Sequence, residues 1–201
     1  MKLYYSPGAC SLAAHIALLD EGCPFALERV DLKRKVTETG KDFTTVNSKG
    51  YVPALVLDDG SMITENIAVL DWIATQHRGL GIEGTLGRTQ LIEALAYIST
   101  EIHKSFKPFW HGASPADKTD AEMLIIKRLN WLAERMAGTY LFGDRPTVAD
   151  FYLFVTLRWA ERFGVTIPQA LAMLKRRLES RPEVRAALAF EEAPALKSGV
   201  A

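Results

Sequence analysis

The chain of 201 residues is 48% apolar and 24% charged, which is typical of a globular protein with one large domain or two small ones. Its 24 basic and 24 acidic side chains give a formal net charge of zero, so charge provides no reason to expect nucleic acid or an anionic membrane as a partner. No apolar run approaches the roughly 18 residues of a membrane-spanning helix, and we expect no secretion signal at the amino terminus.

The cysteines and histidines suggest neither a disulfide framework nor a metal site. Cys10 and Cys23 stand thirteen positions apart across a predicted helix, so we expect both to be free thiols and the compartment to be the reducing cytoplasm. His103 and His111 are eight positions apart with no cysteine near them, which does not match the spacing of metal ligands. We therefore expect no metal cofactor.

The amino-terminal stretch predicts a strand, a tight turn and a helix in quick succession. Residues 1–5 indicate a short strand, Pro7-Gly8 a turn, and a helical apolar pattern begins near Ser11. Cys10 then lies at the start of a helix, where unpaired N–H groups and the helix dipole are expected to lower the pKa of its thiol. This placement alone leaves two interpretations open, a reactive thiol or a small buried hydrophobe.

Strand and helix signals then alternate as far as Gln76. Cys23 lies in the turn that ends the first helix, and we predict that it is structural. The later elements are a strand over residues 25–31, a short helix near 42–46, a hairpin of strands over 51–57 and 62–64, and a helix over 64–76. Glu65 falls in the first turn of that last helix, where its charge complements the helix dipole.

This order of elements is the arrangement of a thioredoxin-like unit. In that fold a reactive cysteine at the start of the first helix faces a loop with a cis-proline, and Cys10 and Pro53 fall in those two places. A cis bond before Pro53 would turn the backbone N–H and C=O of Val52 outward, so that a peptide ligand could pair with them like an added strand. Together with Glu65 and Asn66, these residues predict a site for a small peptide thiol.

The segment Gly79–Gly84 matches the pattern G-x-G-x-x-G of dinucleotide-binding proteins. That fingerprint must follow a strand and open a helix, whereas this one follows a helix, so we interpret it as a linker. From Thr85 onward strand signals vanish and the pattern is helical. The last two helices are predicted over residues 168–180 and 182–190.

Three further helices are predicted after the linker. The first is continuous over residues 86–110, with Pro108 kinking it near its end. The second covers residues 115–138 and has proline at its first position. The third opens at Thr147, where Asp150 is expected to complete a capping box and to be a structural carboxylate.

Five blocks of the chain together resemble bacterial glutathione S-transferases of the beta class. The blocks are Lys2–Ser11, Gly50–Leu55, Thr64–Leu70, Glu101–Phe106 and Thr147–Asp150. The resemblance covers almost all of the chain, and the amino-terminal block with its cysteine separates this class from the tyrosine and serine classes. It implies the glutathione transferase fold, with an α/β thioredoxin-like domain over residues 1–78, a linker over 79–87 and an all-helical (all-α) domain over 88–201, assembled as a symmetric homodimer.

The same resemblance implies glutathione as co-substrate and assigns roles by position. Cys10 would contact the glutathione sulfur and can form a mixed disulfide with it, and His103 would act on the thiol or the second substrate. The glutathione contacts would be Lys35 near the glycyl carboxylate, Val52 at the tripeptide backbone, Glu65 and Asn66 at the γ-glutamyl end, and Thr100 and Glu101 where the partner subunit reaches the site. The second-substrate residues would be Phe106, Trp110 and Trp159.

Some of these positions also have a plain structural interpretation. On sequence alone, Lys35 is an ordinary surface lysine, His103 a surface or packed histidine, and Trp159 a core residue. Ala96 departs from the family pattern, because close relatives carry an asparagine there that helps to bind glutathione.

The reaction that the resemblance implies joins the glutathione thiol to a small electrophilic apolar molecule, with thiol–disulfide exchange through Cys10 as a second activity. Two alternatives stay open: a glutathione-dependent thioltransferase or peroxidase that uses Cys10 as the attacking thiol, and a non-catalytic carrier of apolar ligands. A structural or regulatory role is disfavoured by the joint presence of Cys10, Lys35, Glu65 and His103.

Overall fold

The computed structural model describes residues 1–193, so residues 194–201 at the end of the predicted helical domain lie outside it. Its first part contains a five-stranded mixed sheet. The strands are β1 (Lys2–Tyr5), β2 (Ala26–Asp31), β3 (Val36–Thr37), β4 (Ala54–Val56) and β5 (Met62–Thr64). Their order is β3-β2-β1-β4-β5, with β1 and β2 parallel and the other neighbours antiparallel.

Two helices, α1 (Ser11–Asp20) and α2 (Asn66–Gln76), pack beside each other on this sheet. Every residue of α1 as far as Leu18 is buried, because this helix also contacts the helical second part of the chain. A short 3₁₀ turn lies at Phe43–Thr45, near the predicted position. The thioredoxin-like order of elements is therefore confirmed.

The sheet departs from the sequence prediction at β3 and agrees with it at Pro53. β3 pairs through its two residues with Val30 and Asp31 of β2. So short a strand has no apolar alternation of its own and forms only by pairing, which is why its sequence shows no strand signal. Pro53 lies just before β4, where it interrupts no hydrogen-bond ladder, and the Val52–Pro53 peptide bond is cis.

The second part of the chain is helical. Its α-helices are α3 (Gly87–Tyr97), α4 (Lys107–Trp110), α5 (Pro115–Ala133), α6 (Val148–Phe163), α7 (Gln169–Glu179) and α8 (Pro182–Glu192). α6 is central, because it contacts α1, α2, α3 and α7 and buries nearly every residue of its first three turns. One apolar core extends from β1 and α1 through α6 to α8. Within residues 1–193, no helix combines the length and apolar character needed to cross a membrane.

The helix predicted as continuous over residues 86–110 is interrupted, so that prediction is wrong. After α3 the chain forms a π turn at Ile98–Ile102 and a 3₁₀ turn at His103–Phe106 before α4 begins. Inside the π turn the hydroxyl of Thr100 donates to the carbonyl four residues earlier at 2.9 Å, a bond that bends helices. Pro108 is the second residue of α4, where no N–H donor is required, so it helps to start a helix instead of kinking one.

The capping box predicted at the start of α6 is confirmed. Asp150 Oδ2 accepts hydrogen bonds from the N–H and the hydroxyl of Thr147, both at 2.8 Å, and Oδ1 accepts from the N–H of Leu141 at 2.8 Å. The side chain is fully buried, and burial raises the pKa of Asp150 to about 6 although these donors oppose the shift. Asp150 therefore ties the start of α6 to the preceding loop.

Candidate active site

Cys10 lies at the start of α1, directly after the turn Ser6–Ala9. Its thiol donates to the carbonyl oxygen of Val52, with an Sγ–O distance of 3.7 Å, so the fold brings the cysteine against the cis-proline loop. Burial raises the pKa of the Cys10 thiol to about 12, although the N–H groups of Cys10 and Ser11 lower it. The expectation of a lowered pKa is therefore wrong, because desolvation of the thiolate outweighs the donors at the helix start.

The turn before Cys10 is held by the helical part of the chain. The N–H of Gly8 donates to Glu191 Oε2 in α8 at 2.9 Å, and the indole N–H of Trp159 in α6 donates to the carbonyl of Gly8 at 2.8 Å. The other carboxylate oxygen of Glu191 lies 3.0 Å from Nδ1 of His15, and both of these side chains are buried. The position of the Cys10 turn thus depends on two helices outside the thioredoxin-like unit.

His103 lies where the π turn meets the 3₁₀ turn, and its Nδ1 is 2.7 Å from the hydroxyl of Tyr152 in α6. Burial, with smaller contributions from Lys107 and Lys104, lowers the pKa of His103 to about 4, so the ring is neutral at pH 7. Burial, and next the charge of Cys10, raise the pKa of Tyr152, so its hydroxyl keeps its proton. Tyr152 is therefore the protonated partner of the His103 ring.

The lowered pKa of His103 predicts a loss of stability in acid. The unfolded histidine, with a pKa of 6.5, takes up a proton before the folded one does at about 4, so the stabilisation is present above pH 6.5 and is lost as the pH falls through that window. We expect the His103 contribution to unfolding free energy to fall by about 2 kcal/mol between pH 7 and pH 5. Urea unfolding of His103→Gln should lack this part of the pH slope, and the exposed-site control His111→Gln should keep it. Equal slopes in wild type and His103→Gln would contradict the prediction.

The three residues expected to meet the second substrate form one aromatic cluster with His103. The ring centre of Trp159 lies 4.9 Å from that of Trp110, 5.6 Å from that of Phe106 and 4.7 Å from that of His103. Phe106 and Trp159 are buried, whereas Trp110 is 39% exposed. Trp110 is consequently the member of the cluster that an incoming apolar molecule can reach first.

Lys35 and Glu65 share an unusual backbone conformation. Within residues 1–193 they are the two non-glycine residues with positive φ, at 57° and 71°. Such conformations cost about 1–3 kcal/mol each and concentrate at ligand sites. The ammonium of Lys35 donates to the carbonyl of Gly50 at 2.6 Å, which places its charge beside the loop of Val52 and Pro53.

Glu65 precedes α2 and does not cap the helix with its side chain, so its expected place in the first helical turn is wrong. Its Oε1 accepts hydrogen bonds from the ammonium of Lys49 at 2.5 Å and the hydroxyl of Tyr51 at 2.6 Å. These two donors, Lys49 first, hold the pKa of Glu65 below its usual value. Its carboxylate is therefore charged and fixed at the edge of the cleft.

Asn66, the first residue of α2, is 8% exposed, yet among residues 1–193 neither its amide oxygen nor its amide nitrogen has a hydrogen-bond partner of normal geometry. Buried polar groups are nearly always paired, so an unpaired buried amide indicates a ligand position. The amide is close enough to the hydroxyl of Tyr152 to oppose the rise in its pKa. The amide of Asn66 therefore lies beside the hydroxyl that pairs with His103.

Thr100 and Glu101 pair with other residues of the helical part of the chain. The hydroxyl of Thr100 donates to the carbonyl of Ala96, and the carboxylate of Glu101 pairs with Arg128. Arg128 also donates to the hydroxyl of Ser105 at 2.5 Å. These contacts involve none of the other residues expected to bind glutathione.

Four residues of the cleft were missed by the sequence reasoning. Tyr152 could have been found, because a tyrosine inside a buried apolar helix needs a partner for its hydroxyl. Lys49 and Tyr51 carry no local signal, since their meeting with Glu65 depends on the hairpin fold. Glu191 likewise reaches Gly8 from more than 180 positions away in sequence.

Models of the glutathione S-transferase family match both parts of the chain. The N-terminal domain model matches residues 8–76, and the C-terminal domain model matches residues 120–189. Glutathione S-transferase GstA of Escherichia coli O157:H7 is 40% identical over 198 residues, which cover 95% of this chain and 98% of that protein. The chain therefore belongs to the glutathione S-transferase family.

Solved structures narrow the class further. A ternary complex of BphK, a bacterial glutathione S-transferase, superposes with a TM-score of 0.90 at 40% identity, covering 96% of this chain and 100% of that one. A sphingomonad glutathione S-transferase complexed with glutathione superposes with a TM-score of 0.88 at 41% identity, covering 96% of this chain and 100% of that one. The beta-class enzyme of Sphingomonas chungbukensis superposes with a TM-score of 0.86 at 43% identity, covering 96% of this chain and 99% of that one. The beta-class resemblance and the predicted fold are confirmed.

Proposed function

We propose that this protein binds glutathione in the cleft between Cys10 and the start of α2. It joins the sulfur of the bound glutathione to electrophilic apolar molecules. The observation that carries the proposal is the buried, unpaired amide of Asn66 beside the charged carboxylate of Glu65. The relative complexed with glutathione supports the same ligand. A reaction of this kind suits the removal of toxic electrophiles.

The ends of glutathione match the charges at the ends of the cleft. The γ-glutamyl amine would pair with Glu65, and its carboxylate would take the N–H groups at the start of α2 together with Asn66. The tripeptide backbone would pair with Val52, and the glycyl carboxylate would meet Lys35. Thr100 and Glu101, whose side chains are exposed in the single chain, would reach the site of the neighbouring subunit.

Cys10 would assist the reacting sulfur and would not replace it. Its raised pKa keeps the thiol protonated at neutral pH, so it can donate a hydrogen bond to the glutathione thiolate. Each pKa unit removed from glutathione corresponds to about 1.4 kcal/mol of thiolate stabilisation. The electrophile would enter beside Trp110, near the neutral His103.

The test separates conjugation from thiol–disulfide exchange. In a Cys23→Ser background Cys10 is the remaining cysteine, and we expect turnover with glutathione and 1-chloro-2,4-dinitrobenzene. With oxidised glutathione we expect Cys10 to form a mixed disulfide, as its sulfur displaces one glutathione thiol from the disulfide. Adding Cys10→Ala should lower conjugation by about tenfold, the worth of one hydrogen bond to a charged group, and abolish the mixed disulfide. Ligand binding without turnover in the unchanged protein would favour the carrier function. Loss of both activities in Cys10→Ala would make Cys10 the essential attacking thiol.

We further propose that the protein is a cytoplasmic homodimer. Several large apolar side chains of the hairpin region and of α3 are exposed in the single chain, namely Tyr51, Met62, Leu86 and Ile92. Large apolar side chains that a single chain leaves exposed are candidates for burial in a subunit interface. Light scattering should give twice the mass of one chain, and Leu86→Asp with Ile92→Asp should give a monomer. An unchanged mass in that double variant would place the interface elsewhere.

We also propose that the chain forms two domains, over residues 1–78 and 88–201, joined by a linker over 79–87. The two family matches lie on either side of that linker.

A further inference from the structure

A second thiol cluster lies where the ends of α1 and α2 meet. Cys23 Sγ is 3.1 Å from Nε2 of His77, and Nδ1 of His77 is 3.3 Å from Oε2 of Glu21. Glu21 is the residue directly after α1, and His77 is the residue directly after α2. The three residues are 2 and 54 positions apart in sequence and meet only because the two helices pack together.

The order of these groups is that of an activated nucleophile. A thiol touches an imidazole nitrogen, and the other ring nitrogen faces a carboxylate at ion-pair distance. With the ring proton on Nδ1, the side that faces Glu21, Nε2 is free to accept the proton of the thiol. Burial, and next the charge of Glu21, raise the pKa of Cys23, so the thiol rests protonated beside Nε2 of His77.

The cluster can be reached from solvent. The side chains of His77 and Glu21 are 29% and 20% exposed, and Cys23 is half-buried. The adjacent Asp20 is paired with Arg181. Glu21 is therefore the carboxylate that faces the imidazole of His77. Helix α1 separates this site from Cys10 by its full length of 10 residues, about 15 Å.

We propose that Cys23, His77 and Glu21 form a second reactive thiol site, at which Cys23 is modified by small aliphatic disulfides. The Cys23 sulfur attacks one sulfur of the disulfide, and His77 takes the thiol proton. A bond forms between Cys23 Sγ and that sulfur while the S–S bond of the reagent breaks. His77 returns the proton to the departing thiolate, so that one protein thiol is oxidised to a mixed disulfide and one small thiol is released.

The adduct at Cys23 is stable until an external thiol removes it. The chain contains two cysteines, and Cys10 lies at the opposite end of α1, so no protein thiol is positioned to resolve the mixed disulfide. The site is therefore a reversible modification site and not a second catalytic cycle. Its reaction requires no group of the glutathione cleft.

The test uses a Cys10→Ser background, in which Cys23 is the remaining thiol. The folded protein is treated with bis(2-hydroxyethyl) disulfide, and the rate of adduct formation is followed by intact mass. We expect His77→Gln to slow the reaction at least about tenfold and Glu21→Gln to slow it less, since general-base assistance contributes factors of this size or more. The control His111→Gln, at a histidine far from the cluster, should leave the rate unchanged.

A general-base role is separated from a structural one by chemical rescue. Imidazole added to His77→Ala should restore part of the lost rate, and circular dichroism should show that this variant is folded. Rates for the His77 variants equal to that of the Cys10→Ser parent would overturn the proposal. A rate for the folded Cys10→Ser parent no higher than that of the same chain in denaturant would overturn it as well. Failure of conjugation in the glutathione cleft would leave this result unaffected, because the probe carries no γ-glutamyl group.

Discussion

Replacing Asp150 with alanine is expected to lower the free energy of unfolding by about 3 kcal/mol, because two buried backbone donors lose their acceptor. The N–H groups of Leu141 and Thr147 both donate to this carboxylate at 2.8 Å, and each unpaired buried donor costs about 1–3 kcal/mol. Water cannot replace the carboxylate easily, since the residue is fully buried. Urea unfolding of the purified variant at neutral pH measures the effect.

The chain offers a matched control for this substitution. Asp117 forms the same kind of capping box with Ser114 at the start of α5, but that box is exposed to solvent. Asp117→Ala should therefore cost clearly less, because water can take over the freed N–H groups. Similar losses in the two variants would show that burial of the box at Asp150 contributes little.

Replacing Glu191 with alanine is expected to damage both stability and activity. The substitution leaves the N–H of Gly8 and the ring of His15 without their buried acceptor, at a cost of about 2–4 kcal/mol. Of its two bonds to the helical part of the chain, the Cys10 turn then keeps the one from Trp159, so glutathione should bind more weakly and turnover should fall. Thermal unfolding and the Michaelis constant for glutathione measure the two effects separately.

Two control variants show whether stability and activity depend on the hydrogen bonds of Glu191 or only on an intact end of α8. Glu191→Gln can still accept from Gly8 and donate to His15, so it should stay close to wild type in activity. Glu192→Ala removes the exposed ion pair in which a guanidinium nitrogen of Arg158 lies 3.1 Å from Glu192 Oε1. It should change neither the thermal stability nor the Michaelis constant for glutathione. An intact Michaelis constant in Glu191→Ala would mean that the helical domain does not position the Cys10 turn.

The sequence predicts well those features that are set by neighbours along the chain. The capping box at Thr147 and Asp150 is a local pattern, and the hairpin around its Asp-Gly turn is another. The approach of Cys10 to Val52 follows once the order of strands and helices is known, because the thioredoxin-like topology fixes both. These features could be predicted without any structure.

Features set by distant contacts could not be predicted in this way. The positive φ of Lys35 and Glu65 has no signal in residue type, because glycine is the residue usually found there. The raised pKa of Cys10 depends on how much protein surrounds the sulfur, whereas the sequence shows only the helix start. The meeting of Cys23 with His77 depends on the packing of two helix ends.

The π turn at Ile98–Ile102 makes the number of residues in the chain as important to the cleft as their identity. Each residue added to a helix rotates everything after it by about 100° around the axis. Deleting one residue here would leave Leu91 and Leu95 in the core but would turn His103 away from Tyr152. Deletion of a single residue in this turn would thus leave the fold intact but misplace His103, although every side chain named in the cleft was still present.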